Sequence, residues 1–115
     1  MTIAAEYSAK YETNALQNGA AYHGDVDYSE SMTLAQLAEA GGKITRLRVF
    51  REGLRVDVSY IHATLPDGSI VPVVGYPAFS NWFGFKANLV EWAKEQGVFA
   101  KGLGLLDESN WSILR

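Results

Sequence analysis

The chain has 115 residues, of which 48% are hydrophobic and 20% charged, and its formal net charge is −3 at pH 7. This composition excludes wholesale disorder and predicts one compact domain, residues 1–115, with a single core. The absence of cysteine excludes disulfides, thiolate metal sites and cysteine nucleophiles. No apolar run is long enough to span a bilayer and no secretory signal pattern opens the sequence, so we expect a cytoplasmic protein without a membrane partner.

The N-terminal region fits two structures. Residues 3–17 are rich in alanine and place Ile3, Tyr7, Tyr11 and Ala15 four residues apart, which favours a helix ending at an Asn-Gly pair. The same Asn-Gly pair also fits the turn of a β-hairpin within residues 3–28. We favour the helix because of the alanine content, and the hairpin stays open as the alternative.

Two helices are predicted further along the chain. In TLAQLAEAGG, Thr33 and Gln36 have capping-box spacing and Gly41 ends the segment, which predicts a short helix at about 34–40. The stretch FKANLVEWAKEQG repeats apolar residues, Trp92 among them, at helical spacing. It predicts an amphipathic helix at about 85–96.

Residues 43–74 alternate apolar and polar positions and predict a meander of three antiparallel strands, with Glu52-Gly53 as the first turn. Pro72 cannot donate a ladder hydrogen bond, which predicts either that the third strand is an edge strand or that Pro72 occupies a position whose N–H would face away from the ladder. The tail fits a short extended piece followed by a final turn or strand at 111–114. The predicted fold class is therefore α+β: a single domain with a three- or four-stranded antiparallel sheet and the helix at about 85–96 packed on its apolar face.

The Glu52-Gly53 turn also predicts which residues share a face of the sheet, because side chains alternate along a strand. In this register Val49 lies opposite Val56. One face then carries Leu47, Val49, Leu54, Val56, Val58 and Tyr60. The other face carries Ile44, Arg46, Arg48, Phe50, Arg55, Asp57, Ser59 and Ile61.

Positive charge is concentrated in residues 43–57, which contain five basic residues and two acidic ones in a chain that is acidic overall. Arginine binds carboxylates and phosphates through paired hydrogen bonds and stacks on aromatic rings, so the arginine-bearing face is a candidate recognition surface. The alternative is a solvent-exposed face without a binding role, on which Arg48 and Asp57 form a cross-strand ion pair. The aromatic segment GYPAFSNWFGF is open to the same choice, between a lid over the core and a contact surface.

Groups with catalytic chemistry do not form a convincing set. Asp57 and Ser59 share a face in the predicted register, whereas alternation places His62 on the other side of the sheet, which argues against a triad. His23, Asp25 and Asp27 have the side chains of a cation site, but aspartate and glycine are equally typical of turns. We therefore predict no catalytic residue, no metal site and no cofactor.

The sequence predicts a small non-enzymatic module, of inhibitory or regulatory type, that binds a partner protein or ribonucleoprotein. By analogy alone, inhibitors carried by phages or other mobile elements share this profile. Two alternatives stay open: a sheet that binds nucleic acid directly, and a small enzyme with an unrecognised carboxylate or metal site. The candidate binding residues are Arg46, Arg48, Phe50, Arg55, Tyr76 and Trp82.

Overall fold

The computed structural model describes residues 25–114. The question of a helix or a hairpin within residues 3–28 falls almost entirely outside this range. The described elements, in chain order, are α1 (Leu34–Ala40), β1 (Lys43–Glu52), β2 (Arg55–Thr64), β3 (Ile70–Pro72), α2 (Phe85–Glu95), a 3-10 turn (Glu108–Asn110) and β4 (Trp111–Leu114). They confirm the predicted α+β class.

Both helices lie where the sequence predicts them. At the start of α1 the Thr33 hydroxyl accepts a hydrogen bond from the Gln36 backbone N–H, and the Gln36 side chain accepts one from the Thr33 N–H. Gly41 ends this helix with a φ of 76°, a left-handed conformation that glycine adopts without strain. The α2 helix begins without a side-chain cap, so packing of its apolar stripe holds it: Phe85, Leu89, Trp92 and Ala93 are buried.

The β1–β2 hairpin turns one residue later than predicted. Its two-residue loop is Gly53-Leu54, with Glu52 paired to Arg55. Gly53 has a φ of 59°, and no other residue type among those described has a positive φ. A positive φ at the first loop position and a negative φ at the second is the type II′ pattern, which favours glycine at the first position. The predicted turn would place Glu52 there.

Two β-bulges interrupt the pairing of β1 with β2. Val49 lies opposite Val58 instead of Val56, a shift of two residues that leaves these side chains on the predicted face. Ser59 is then an extra residue in β2, and Thr45 is an extra residue in β1. Each bulge reverses the alternation of the residues beyond it.

As a consequence, several predicted positions on the sheet are wrong. Ile44 and Ile61, expected beside the arginines, are buried in the core at 1% and 0% exposure. Tyr60, expected on the apolar face, lies opposite Arg48 on the other side. Leu54 belongs to the turn and is 53% exposed.

The sheet is mixed, with the order β3-β2-β1-β4. The short β4 strand runs parallel to β1, so the prediction of a purely antiparallel sheet is wrong. A parallel partner reaches the sheet through a long crossover, here the segment that contains α2, and no local pattern specifies that path. Pro72 lies in the edge strand β3, as predicted.

A single core cluster lies between one face of the sheet and the two helices. It joins Leu47, Val49, Val56 and Ile61 of the sheet with the buried side chains of α1 and α2. Among the described residues, neither helix has the length and apolarity needed to cross a membrane.

Candidate interaction face

The side of the sheet opposite α2 carries three of the four arginines of the central strands. In the observed register Arg46 lies opposite His62, Arg48 opposite Tyr60, and Phe50 opposite Asp57. We call this surface the arginine face. It comprises Arg46, Arg48 and Phe50 of β1, and Arg55, Asp57, Tyr60 and His62 of β2.

Arg46 is held by a carboxylate from the acidic N-terminal third of the chain. Its Nη2 lies 2.8 Å from Asp25 Oδ2 and its Nη1 lies 3.2 Å from Asp25 Oδ1. The side chains are 31% and 52% exposed, so solvent screens the pair and its contribution to stability is about 1 kcal/mol at most. Arg46 therefore serves an intramolecular role.

Two aromatic rings fill the arginine face beside this pair. The rings of Tyr60 and His62 stack with centroids 4.2 Å apart and an angle of 18° between their planes. Both residues are buried. Burial raises the pKa of the Tyr60 phenol, while the positive charges of Arg48 and Arg46 oppose that shift, so the phenol is neutral at physiological pH.

Arg48 differs from Arg46 in that its donors are not used. Its Cζ lies 5.8 Å from the centroid of the Tyr60 ring, and its Nε and Nη1 are buried without a hydrogen-bond acceptor. A buried donor without an acceptor costs about 1–3 kcal/mol, and more when the group is charged. The free protein therefore has, at Arg48, a cation that an incoming anion would stabilise.

The arginine face opens toward the hairpin turn. A cavity of about 220 Å³ there is lined by Phe50, Glu52, Arg55 and Asp57. Arg55 and Asp57 are 76% and 63% exposed, and their Nη2 and Oδ2 atoms are 3.7 Å apart, which is a weak contact. This end combines one half-buried aromatic ring with charges of both signs.

Tyr76 and Trp82 lie on the other side of the sheet, with α2. Trp82 stacks on Phe85 at 5.8 Å, and Tyr76 contacts Trp92 edge-on at 6.2 Å. The structure thus brings Arg46, Arg48, Phe50 and Arg55 together and separates the two aromatic candidates from them. Both are half-buried against the core, which favours the lid interpretation of the aromatic segment.

The fourth arginine of the hairpin also faces the α2 side. The Arg51 guanidinium carbon lies 4.4 Å from the centroid of the Trp82 ring, and its Nε donates a hydrogen bond to the Gly53 carbonyl at 2.8 Å. Arg51 therefore ties the hairpin turn to the aromatic segment.

The bulge at Ser59 also corrects the argument about a triad. Because it reverses alternation, Asp57 and His62 lie on the same side of the sheet, contrary to the prediction. The ion-pair contact of Asp57 is with Arg55, however. In residues 25–114 no three side chains are arranged to hold a metal ion, and Asp25 is engaged by Arg46; His23 lies outside the described range.

Three residues that lie on the arginine face or contact it were not predicted from the sequence. Tyr60 and His62 reach the arginine face only because of the bulge at Ser59, which has no signature in the sequence. Asp25 lies 21 residues before Arg46, too far for any local pattern to connect them. The excess of acidic residues before position 43 was the one available hint.

No family model, curated protein or solved structure matches this chain. The geometry of the arginine face is therefore the basis for a functional proposal.

Proposed function

We propose that this protein is a small cytoplasmic binding module, of inhibitory or regulatory rather than catalytic type, that engages an acidic surface of a partner protein through its arginine face. The observation that carries the proposal is the Arg48 guanidinium, with two buried donors that lack acceptors. Once the guanidinium turns outward, a carboxylate from a partner would accept these hydrogen bonds and pair with the charge. Binding would then remove a cost that the free protein bears.

The open end of the arginine face supports a protein as the partner. Glu52 and Asp57 line the cavity beside Arg55 and would repel a continuous run of phosphates. A protein surface can instead supply a carboxylate for Arg48, an apolar side chain for Phe50 and a lysine or arginine side chain for the two acidic residues. The mixed charge therefore favours a protein over a nucleic acid.

The proposal is tested by fluorescence anisotropy with two labelled probes, a peptide of alternating glutamate and leucine and an oligo-dT strand. We expect the peptide to bind and Arg48→Met to weaken it roughly 30-fold, the equivalent of about 2 kcal/mol for an arginine anchor. Lys101→Met is the matched control, because it removes one exposed positive charge away from the arginine face. It should change the affinity less than about 2-fold, in the range of a peripheral charge.

Failure of the peptide to bind, or equal effects of the two variants, would contradict the proposal. Binding of oligo-dT alone would favour the nucleic-acid alternative if the slope of log affinity against log salt concentration corresponds to the release of about three ions. If the peptide binds as expected, affinity capture from the native host with wild-type and Arg48→Met baits identifies the natural partner as the protein lost from the variant.

A further inference from the structure

A second cavity, of about 240 Å³, lies on the α2 side of the molecule. We call it the α2 cavity. The aromatic segment contributes one wall, and one side of the α2 helix contributes the other. Its lining consists of Pro77, Ala78, Phe79, Asn88, Glu91, Trp92 and Glu95.

Two carboxylates stand at the rim of the α2 cavity. Glu91 and Glu95 are one helical turn apart, so they project from the same side of α2, and both are exposed. Among residues 25–114 neither has an ion-pair partner, and Lys94 on the same helix contacts neither. Like charges at this spacing repel one another, so the rim favours a cation.

The wall of the α2 cavity supplies a second, independent observation. Trp92 is 3% exposed, and its indole N–H is buried without an acceptor. The corresponding N–H of Trp111, by contrast, donates to the Leu105 carbonyl at 3.1 Å. A buried donor without an acceptor in the fold points to an acceptor supplied by a bound ligand.

The aromatic walls suit the body of a long basic side chain. Phe79 and Trp92 meet at 68° with centroids 6.1 Å apart, and Pro77 completes an apolar surface. Lysine and arginine side chains lay their hydrocarbon stems along apolar surface and keep the charge at its edge. Aromatic faces additionally attract cations.

We infer that the α2 cavity binds a lysine or arginine side chain of a peptide segment in a partner protein. Glu91 and Glu95 pair with the cation, and Phe79 and Pro77 contact its stem. Rotation of the Trp92 ring lets its buried N–H donate to a carbonyl oxygen of the peptide. This site selects positive charge and lies on the opposite side of the sheet from the arginine face. It therefore stands independently of the function proposed above.

The inference is tested by two-dimensional ¹⁵N–¹H NMR of the full chain, with the Trp92 indole signal assigned by its loss in Trp92→Phe. The probe is an end-blocked peptide of alternating lysine and glycine, and its glutamate–glycine counterpart is the reference. We expect the lysine peptide to shift the Trp92 indole signal to saturation and the glutamate peptide to leave it in place. In the Glu91→Gln/Glu95→Gln variant, the Kd should rise about 10-fold or more.

The matched control is Glu30→Gln/Glu39→Gln, which removes the same charge from two exposed positions outside the cavity. Its Kd should stay within about 2-fold of wild type, because screening weakens distant surface charges. An unmoved indole signal, an equal response to the two peptides, or equal affinities of the two double variants would each overturn the inference. Since all four glutamates are exposed, the dispersed spectrum of the folded protein should persist in both variants.

Discussion

The two faces of the central hairpin show how one pair of strands serves two purposes. On the α2 side, Leu47, Val49, Val56 and Ile61 are all fully buried. On the opposite side, the same strands carry an exposed Arg55, a half-buried Arg48 and an ion pair to Asp25. Burial of apolar area stabilises a fold by roughly 25 cal/mol per Å², whereas a solvent-screened ion pair contributes about 1 kcal/mol at most.

Stability and recognition are therefore assigned to different sides of one element. The alternation of side chains creates this separation, and the bulges decide which residues fall on which side. Changes on the core face should unfold the protein, and changes on the arginine face should alter binding with little effect on folding.

Ile61→Ala should have the largest effect, because Ile61 is fully buried on the core face of the hairpin. Truncation of a buried isoleucine costs about 2–5 kcal/mol. That loss is a large part of the roughly 5–15 kcal/mol that stabilises a typical domain. We expect circular dichroism to show a thermal transition at a much lower temperature than that of wild type.

Ser59→Ala is the control, on the same strand two residues before Ile61. It removes a hydroxyl whose oxygen is buried without a hydrogen-bond partner. Its free energy of unfolding should equal or slightly exceed that of wild type. An Ile61→Ala variant as stable as wild type would mean that the core face of the hairpin does not carry the stability of the fold.

The parts of the fold that the sequence predicted depend on near neighbours. The capping box of Thr33 and Gln36, the apolar stripe of α2 and the restriction at Pro72 each act within a few residues. The bulges at Thr45 and Ser59 instead reflect how a whole strand fits its neighbour and the core. The parallel β4 strand reflects a crossover path, so neither feature has a local signature.

The candidate site divides in the same way. Arg46, Arg48 and Phe50 are two residues apart on one strand, so alternation alone places them together. Tyr76 and Trp82 were grouped with them by residue type, and the fold carries that segment to the other side of the sheet. Which arginine has a partner depends on Asp25, which no spacing rule connects to β1.

Arg46 and Arg48 should respond oppositely to the same substitution, because Asp25 accepts hydrogen bonds from Arg46 whereas two buried donors of Arg48 lack an acceptor. Arg46→Met removes the pair with Asp25 and should lower the free energy of unfolding by up to about 1 kcal/mol. Arg48→Met removes two buried donors that lack acceptors and should leave stability unchanged or raise it by about 1 kcal/mol. Urea denaturation measures both values.

The control for this pair is Asp25→Asn, alone and combined with Arg46→Met. If the ion pair accounts for the loss, the two substitutions should be non-additive, since either one breaks the same contact. A larger loss of stability for Arg48→Met than for Arg46→Met would show that Arg48 braces the fold. In that case the Arg48 side chain would serve folding, and it would not be a binding residue for a partner.

The smallest expected effect concerns two exposed turns that belong to neither face. Asp67 Oδ1 accepts hydrogen bonds from the Ser69 N–H at 2.9 Å and from the Ser69 hydroxyl at 2.6 Å. Asp107 makes the same contacts with Ser109, at 3.1 and 2.6 Å. In both turns the serine hydrogen bonds lower the pKa of the aspartate below its ordinary value of 3.8. The carboxylate form is therefore the one that the folded state favours.

A lowered pKa in the folded state contributes stability above the ordinary pKa of 3.8, and this contribution disappears as the pH falls through the lowered value. Ser69→Ala/Ser109→Ala should therefore have a slightly lower Tm than wild type at neutral pH. The two Tm values should converge in acid, once both aspartates are protonated in the folded state. NMR titration of the carboxyl carbons should show both aspartate pKa values rising in the variant. A Tm difference that stays constant from neutral pH into acid would mean that the serines act through turn geometry alone, without favouring the charged carboxylates.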